Sequence, residues 1–141
     1  MIYCCSVWGN SHKNKMDKLV VIQNKIIRAM TYSGRMESAG PLLRRNNLLP
    51  LRCVVEYFTC IYVYKCLEWD NNMFHFYHPN IYNTRLSNSR SLIVPNIMSS
   101  HSRMSVLWSG CQLWNGLPGN LRELPTCSSF KRQLKTLLLS Q

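Results

Sequence analysis

A chain of 141 residues is long enough for one domain that buries roughly two thirds of the surface its unfolded form exposes, and too short for two such domains. With 46% apolar and 16% charged residues it falls outside the composition of disordered chains, and its longest apolar run, Cys53 to Tyr64, contains Glu56 and is too short to cross a bilayer. The formal charge of +11 points to an anionic partner, of which RNA or DNA is the usual one, although a solvated basic surface gives the same balance.

The chain opens on an apolar stretch, residues 2–8, closed by Gly9-Asn10; it reads as the last turns of an element whose beginning is missing. No basic segment precedes an apolar core there, so no signal peptide is expected. Met16 to Thr31 has helical spacing, with Met16, Leu19, Val20, Ile26, Ile27 and Met30 on one face and Lys18, Lys25 and Arg28 on the other. Gln23 falls within the apolar stripe, where its amide needs a partner. Gly34 is expected to mark the end of this helix.

Ser38-Ala39-Gly40-Pro41 predicts a second, short helix carrying Leu42, Leu43, Arg44 and Arg45, stopped at Asn46-Asn47. After Pro50 a long helix is predicted, about Leu51 to Trp69, apolar nearly all round and therefore central to a bundle. Its β-branched and aromatic residues make a strand the competing assignment. Asp70-Asn71-Asn72 breaks the pattern, and one helical turn is expected before Pro79. Residues 81–103 are rich in Ser, Asn and Arg and read as a loop-rich segment, in which Ser91 to Val94 looks like a strand ended by Pro95.

Helical spacing returns from Ser105 to Trp114. In "LWNGLP" that follows, Asn115-Gly116 are expected to end the helix by taking positive φ, Pro118 bars helix at Leu117, and Trp114 and Leu117 bury the corner. The last helix is amphipathic, with Phe130, Leu134, Leu137 and Leu138 on one face, Lys131, Arg132 and Lys135 on the other, and Thr126 or Ser128 as its cap. The predicted fold is mainly α: a small irregular bundle of four or five helices in a single domain, 1–141. It has a basic helical half (1–80), a loop-rich segment (81–104), one short strand pair near Leu92–Val94, and C-terminal helices (105–141).

Seven cysteines cannot all pair, and Cys53, Cys60 and Cys66 lie in an apolar run, as reduced thiols in an intracellular protein do. Cys60, Cys66, His75 and His78 have the residue types of a zinc site, but their spacing matches no finger pattern, so no metal or other cofactor is expected. Cys127 stands at a helix start, which lowers a thiol's pKa, with no histidine adjacent in sequence; it reads as a cap-region cysteine rather than a nucleophile. The basic residues carry more weight. Nine of them fall within the first 52 positions against only Asp17 and Glu37. Lys18, Lys25, Arg28, Arg44 and Arg45 are the candidate phosphate contacts, with a solvated helix face as the plain alternative.

Several of these segments together resemble the C-terminal region, thumb and post-thumb, of reverse transcriptases from non-LTR retrotransposons of the LINE-type, jockey-like class. The features are the Trp8-Gly9 pair closing a helix, the Leu19, Gln23 and Arg28 helix, the Thr84-Arg85 pair, the Trp114-Asn115-x-Leu117-Pro118 corner, and the Phe130-Lys131 helix, all in the family's order. The resemblance implies a fragment truncated at its N-terminus that helps hold template RNA or target DNA, beside an upstream polymerase domain. It implies no catalysis in this chain. The family's RNA-directed DNA polymerase needs clustered palm carboxylates, including an Asp-Asp pair, for two metals. Here Asp17 and Asp70 are far apart. The family's C-terminal Cys/His knuckle is not matched either, since its tight Cys-x2-Cys spacing is missing.

Overall fold

A computed structural model describes residues 5–9, 13–69, 73–75, 90–96, 99 and 102–140. Their architecture is mainly α. Seven helices run in the order α1 (Cys5–Trp8), α2 (Lys13–Met30), α3 (Ala39–Arg45), α4 (Leu51–Glu68), α5 (Val106–Gly116), α6 (Gly119–Arg122) and α7 (Cys127–Ser140), with a 3-10 turn at Ser102–Met104. The five longer ones form the expected irregular bundle, and α1 and α6 add one turn each.

α4 is the central helix. The apolar run that left strand and helix in competition is helical throughout, because it is buried by neighbours on most sides. Cys60, Val63, Tyr64 and Cys66 of α4 join Cys111 and Trp114 of α5 and Phe130, Leu134 and Leu138 of α7 in the main core. Tyr64 stacks on Phe130 with ring centroids 4.7 Å apart, and Trp114 lies 5.8 Å from Phe130. The Tyr64 hydroxyl reaches the Leu124 carbonyl at 2.9 Å, tying α4 to the turn before α7. Two smaller clusters hold the N-terminal helices. Ile27 of α2 packs on Ala39, Leu42 and Leu43 of α3, while Met16 packs on Leu51 and Val55 of α4.

The helix ends show how local chemistry sets the boundaries. α2 ends at Met30 and is closed by Tyr32, not by Gly34. Tyr32 takes φ 52°, its N–H bonds to the Ala29 carbonyl, and Ser33 N–H bonds back to Arg28. This is a Schellman closure with a tyrosine in the position glycine favours. α3 ends the same way at the predicted Asn46-Asn47: Asn47 has φ 54°, and Leu48 N–H reaches the Leu43 carbonyl. Ser105 caps α5 by accepting from Trp108 N–H, and Thr126 caps α7 by accepting from Ser129 N–H.

Two expectations need correction. No strand pair forms among the described residues; only Leu92 makes an isolated bridge. The backbone bonds here are divided: Ile93 N–H donates to the His75 carbonyl at 2.9 Å, while both backbone groups of Leu92 are taken by a side chain. Asn115 accepts from Leu92 N–H at 2.8 Å and donates to the Leu92 carbonyl at 2.9 Å. α5 also runs through Asn115-Gly116, with no glycine at positive φ. The stop falls at Leu117, extended at φ −73°, ψ 147° ahead of Pro118. The helix continues because Asn115 must stay on it to reach Leu92.

Candidate functional site

The structure turns most of the family-like residues inward. Trp114 is 1% exposed, and its indole N–H donates to the Arg90 carbonyl at 2.9 Å. Together with Asn115 it pins residues 90–92 against α5. Gln23, the polar residue in an apolar stripe, finds both partners in the α3–α4 connection. It donates to the Leu49 carbonyl at 3.0 Å and accepts from Leu51 N–H at 2.8 Å. The second bond satisfies a free N–H in the first turn of α4. Gly9 follows the single turn of α1, and a side chain there would run into the Cys5 carbonyl and the Val55 methyls. Leu117 and Phe130 are buried. Thr84 and Arg85 lie outside the described residues.

One pin was not foreseen. Arg122 of α6 is buried and donates to the Ser91 hydroxyl at 3.0 Å, while Arg90 donates to the Arg122 carbonyl. Burial pulls the Arg122 pKa downward. No periodicity marks such a residue, because its partner lies in a loop rather than on a helix.

The five candidate phosphate contacts are not gathered into one patch. Ile27 marks the side of α2 that faces α3. Lys25 and Lys18 stand two and nine residues before it, each roughly half a turn around the helix, and so point away from α3. Arg44 and Arg45 are exposed on α3, opposite its buried Ala39, Leu42 and Leu43. Arg28 lies between the two sets with its Nε donating to the Glu37 carbonyl at 2.7 Å, so it ties the end of α2 to the approach to α3. Lys18, Lys25, Arg44 and Arg45 form no ion pair with a described residue. The one ion pair among the described residues joins Arg52 and Asp17 at 2.5 Å.

Cys60 and Cys66 are buried along α4 and His75 is exposed, while His78 lies outside the described residues. Among the described residues no three potential metal ligands cluster. Burial, with Glu56 nearby, pushes the Cys60 thiol up to about 12, and burial pushes Cys111 to about 11. Cys53, Cys60, Cys66, Cys111 and Cys127 are free thiols, and Cys127 opens α7 half-buried. Among the described residues no helix is long and apolar enough to cross a membrane.

A feature the periodicity misjudged is the outer edge of α2. Ile26 and Met30 were expected on the buried face, yet both are exposed, as are Val21 and Ile22. The apolar stripe of α2 is wider than the strip that α3 and α4 cover. Its uncovered side forms one wall of a groove of about 440 Å³. α4 supplies the floor through Val54, Tyr57 and Phe58, the α3–α4 connection closes one end, and Lys135 of α7 stands on the far side. Compared with protein-family models, characterised proteins and solved structures, the chain finds no match in any of the three.

Proposed function

We propose that the chain is a non-catalytic, C-terminal part of a retrotransposon-type reverse transcriptase that contacts the phosphate backbone of RNA or DNA. The observation that supports this most is the set of exposed cations Lys18, Lys25, Arg44 and Arg45, none paired with a described carboxylate. Phosphate contacts of this kind position a nucleic acid without reading its sequence. Lying on the outer sides of two packed helices, these cations form two separate pairs, each of which can meet a phosphate on its own. Arg28 acts here as a tie within the fold. The polymerase chemistry of the resembled family belongs to residues this chain lacks, so primer extension with purified chain and magnesium or manganese should give no product above buffer.

The binding test is a salt titration. Affinity should be similar across sequences and fall steeply with salt, because each neutralised phosphate releases counterions. Arg44→Gln with Arg45→Gln should shallow the log–log slope by roughly one to two units, and Lys18→Gln with Lys25→Gln should do likewise. Replacing Lys131 and Lys135 should change it less. Binding undetectable at micromolar protein in about 50 mM salt, or three pairs that behave alike, would leave these residues as a solvated face.

A second reading, an interaction module with no nucleic-acid role, is favoured by one observation. Ile22, Ile26 and Met30 leave an apolar strip of α2 open to solvent. The same titration separates the two readings.

A further inference from the structure

We infer that the groove between α2 and α7 seats an acidic amphipathic helix of a partner protein. The inference deepens the second reading but holds whether or not Arg44 and Arg45 meet nucleic acid. The groove's wall runs from Leu19 to Ile26 of α2, two helical turns or about 10 Å. A guest helix placing apolar side chains at i, i+3 or i+4, and i+7 covers that length. The lips are open: Ile22 is 45% exposed, Ile26 51% and Leu48 42%. A small ligand in so open a trough would keep much of its surface in water, whereas small-molecule sites bury most of theirs. A helix covers trough and lips together.

The polar chemistry of the groove selects the guest's charge. The Gln23 amide is already engaged by Leu49 and Leu51, so the floor holds no demand for a polar ligand. Among the described residues, Lys135 is the one charged residue lining the groove, and no carboxylate lines it. Lys18 and Lys25 lie one turn to either side of Ile22 on the exposed face of α2. A guest with acidic residues flanking its apolar stripe therefore meets a cation along each wall. Such complementarity fixes orientation and rejects basic helices.

The test uses the full chain and a displayed library of helix-forming peptides that fixes a leucine stripe at helical spacing and randomises the flanks among Glu, Lys, Gln and Ser. Enriched sequences should carry Glu at the flanks, and synthetic versions should bind with roughly micromolar affinity. Ile26→Glu should weaken them at least tenfold, and Ile26→Ala less. Lys135→Glu should shift the preference toward Lys-flanked peptides. Val21→Glu, at a side chain as exposed as Ile26 but outside the groove, should change nothing. No enrichment, winners without acidic flanks, or equal effects of Ile26→Glu and Val21→Glu would overturn the inference. A dimer that dissociates on Ile26→Glu would give the groove to a second copy, and loss of oligonucleotide binding on that change would give it to nucleic acid; either overturns it. Salt-sensitive oligonucleotide binding through Arg44 and Arg45 that Ile26→Glu leaves intact would sink the second reading alone.

Discussion

Replacing Asn115 by alanine isolates the side-chain contact that holds both backbone groups of Leu92. The Asn115 amide makes two hydrogen bonds to Leu92, at 2.8 and 2.9 Å, and Leu92 is buried. Each bond contributes about 0.5–1.5 kcal/mol net, and stranding a buried N–H and carbonyl adds desolvation that water entry relieves only partly. The expected loss is about 2–4 kcal/mol, a large share of the roughly 5–15 kcal/mol that holds a domain together. At about 3–5 °C per kcal/mol for a chain of this size, the thermal midpoint should fall by roughly 6–20 °C. Asn115→Asp is the sharper variant. It keeps an acceptor for Leu92 N–H but sets a charged oxygen against the Leu92 carbonyl, so it should be at least as damaging as alanine. Melting followed by circular dichroism gives the midpoint, and hydrogen exchange at the Leu92 amide reports the contact itself. A midpoint unchanged in Asn115→Ala, or Leu92 exchange no faster than in the parent, would refute the assignment.

Thr59 is fully buried in α4 with its hydroxyl unpartnered, so Thr59→Val should raise stability by about 1–3 kcal/mol in a denaturant titration; a loss would mean the hydroxyl has a partner. Burial holds the Glu56 carboxyl above its ordinary 4.5, despite Arg52 pulling the other way, so its ionised form costs the folded state more than the unfolded one. Glu56→Gln should therefore stabilise at neutral pH, with the gain shrinking as pH falls through the raised value and gone below the ordinary one; a gain that grows toward acid would contradict this. Gly9→Ala should cost about 1–3 kcal/mol because the added methyl meets the Cys5 carbonyl and Val55. Gly116→Ala, inside α5 with open space around it, should add about 0.5–1 kcal/mol, and equal effects of the two would count against the close approach at Gly9.

Helix positions were largely legible because burial in this fold follows the 3.6-residue period. The long helix predicted at Leu51–Trp69 spans Leu51–Glu68, and Asn46-Asn47 ends α3 as its chemistry requires. Errors arose where a distant group decides a local outcome. Gly34 was the local signal for the end of α2, but a Schellman bond pattern closes earlier on Tyr32. Ser91 to Val94 looks like a strand in the sequence, but the bonds that order it come from other elements: Asn115 of α5 takes both backbone groups of Leu92, and the His75 carbonyl accepts from Ile93 N–H. Ile26 and Met30 satisfy the helical period yet stay outside, because a period says which residues share a face and not how much of that face a neighbour covers.

This bears on what the resemblance to retrotransposon polymerases can carry. Gly9, Gln23, Trp114, Asn115 and Phe130 are its most distinctive residues here, and each is occupied with a close approach, a helix-start bond, a loop staple or the core. Residues with such duties constrain an architecture, since replacing them strands a buried polar group, opens the packing or, at Gly9, drives a side chain into the Cys5 carbonyl and Val55. Their polar groups are spent within the fold, and the one that lines the groove, Gln23, has its amide engaged by Leu49 and Leu51. Among the described residues, the outward candidates for a binding role are Lys18, Lys25, Arg44 and Arg45, with Ile22, Ile26 and Lys135 beside the groove. Those positions are free of packing duty, so they can change without cost to the fold. The motif therefore speaks to how the chain folds, and the surface must be tested for what it binds.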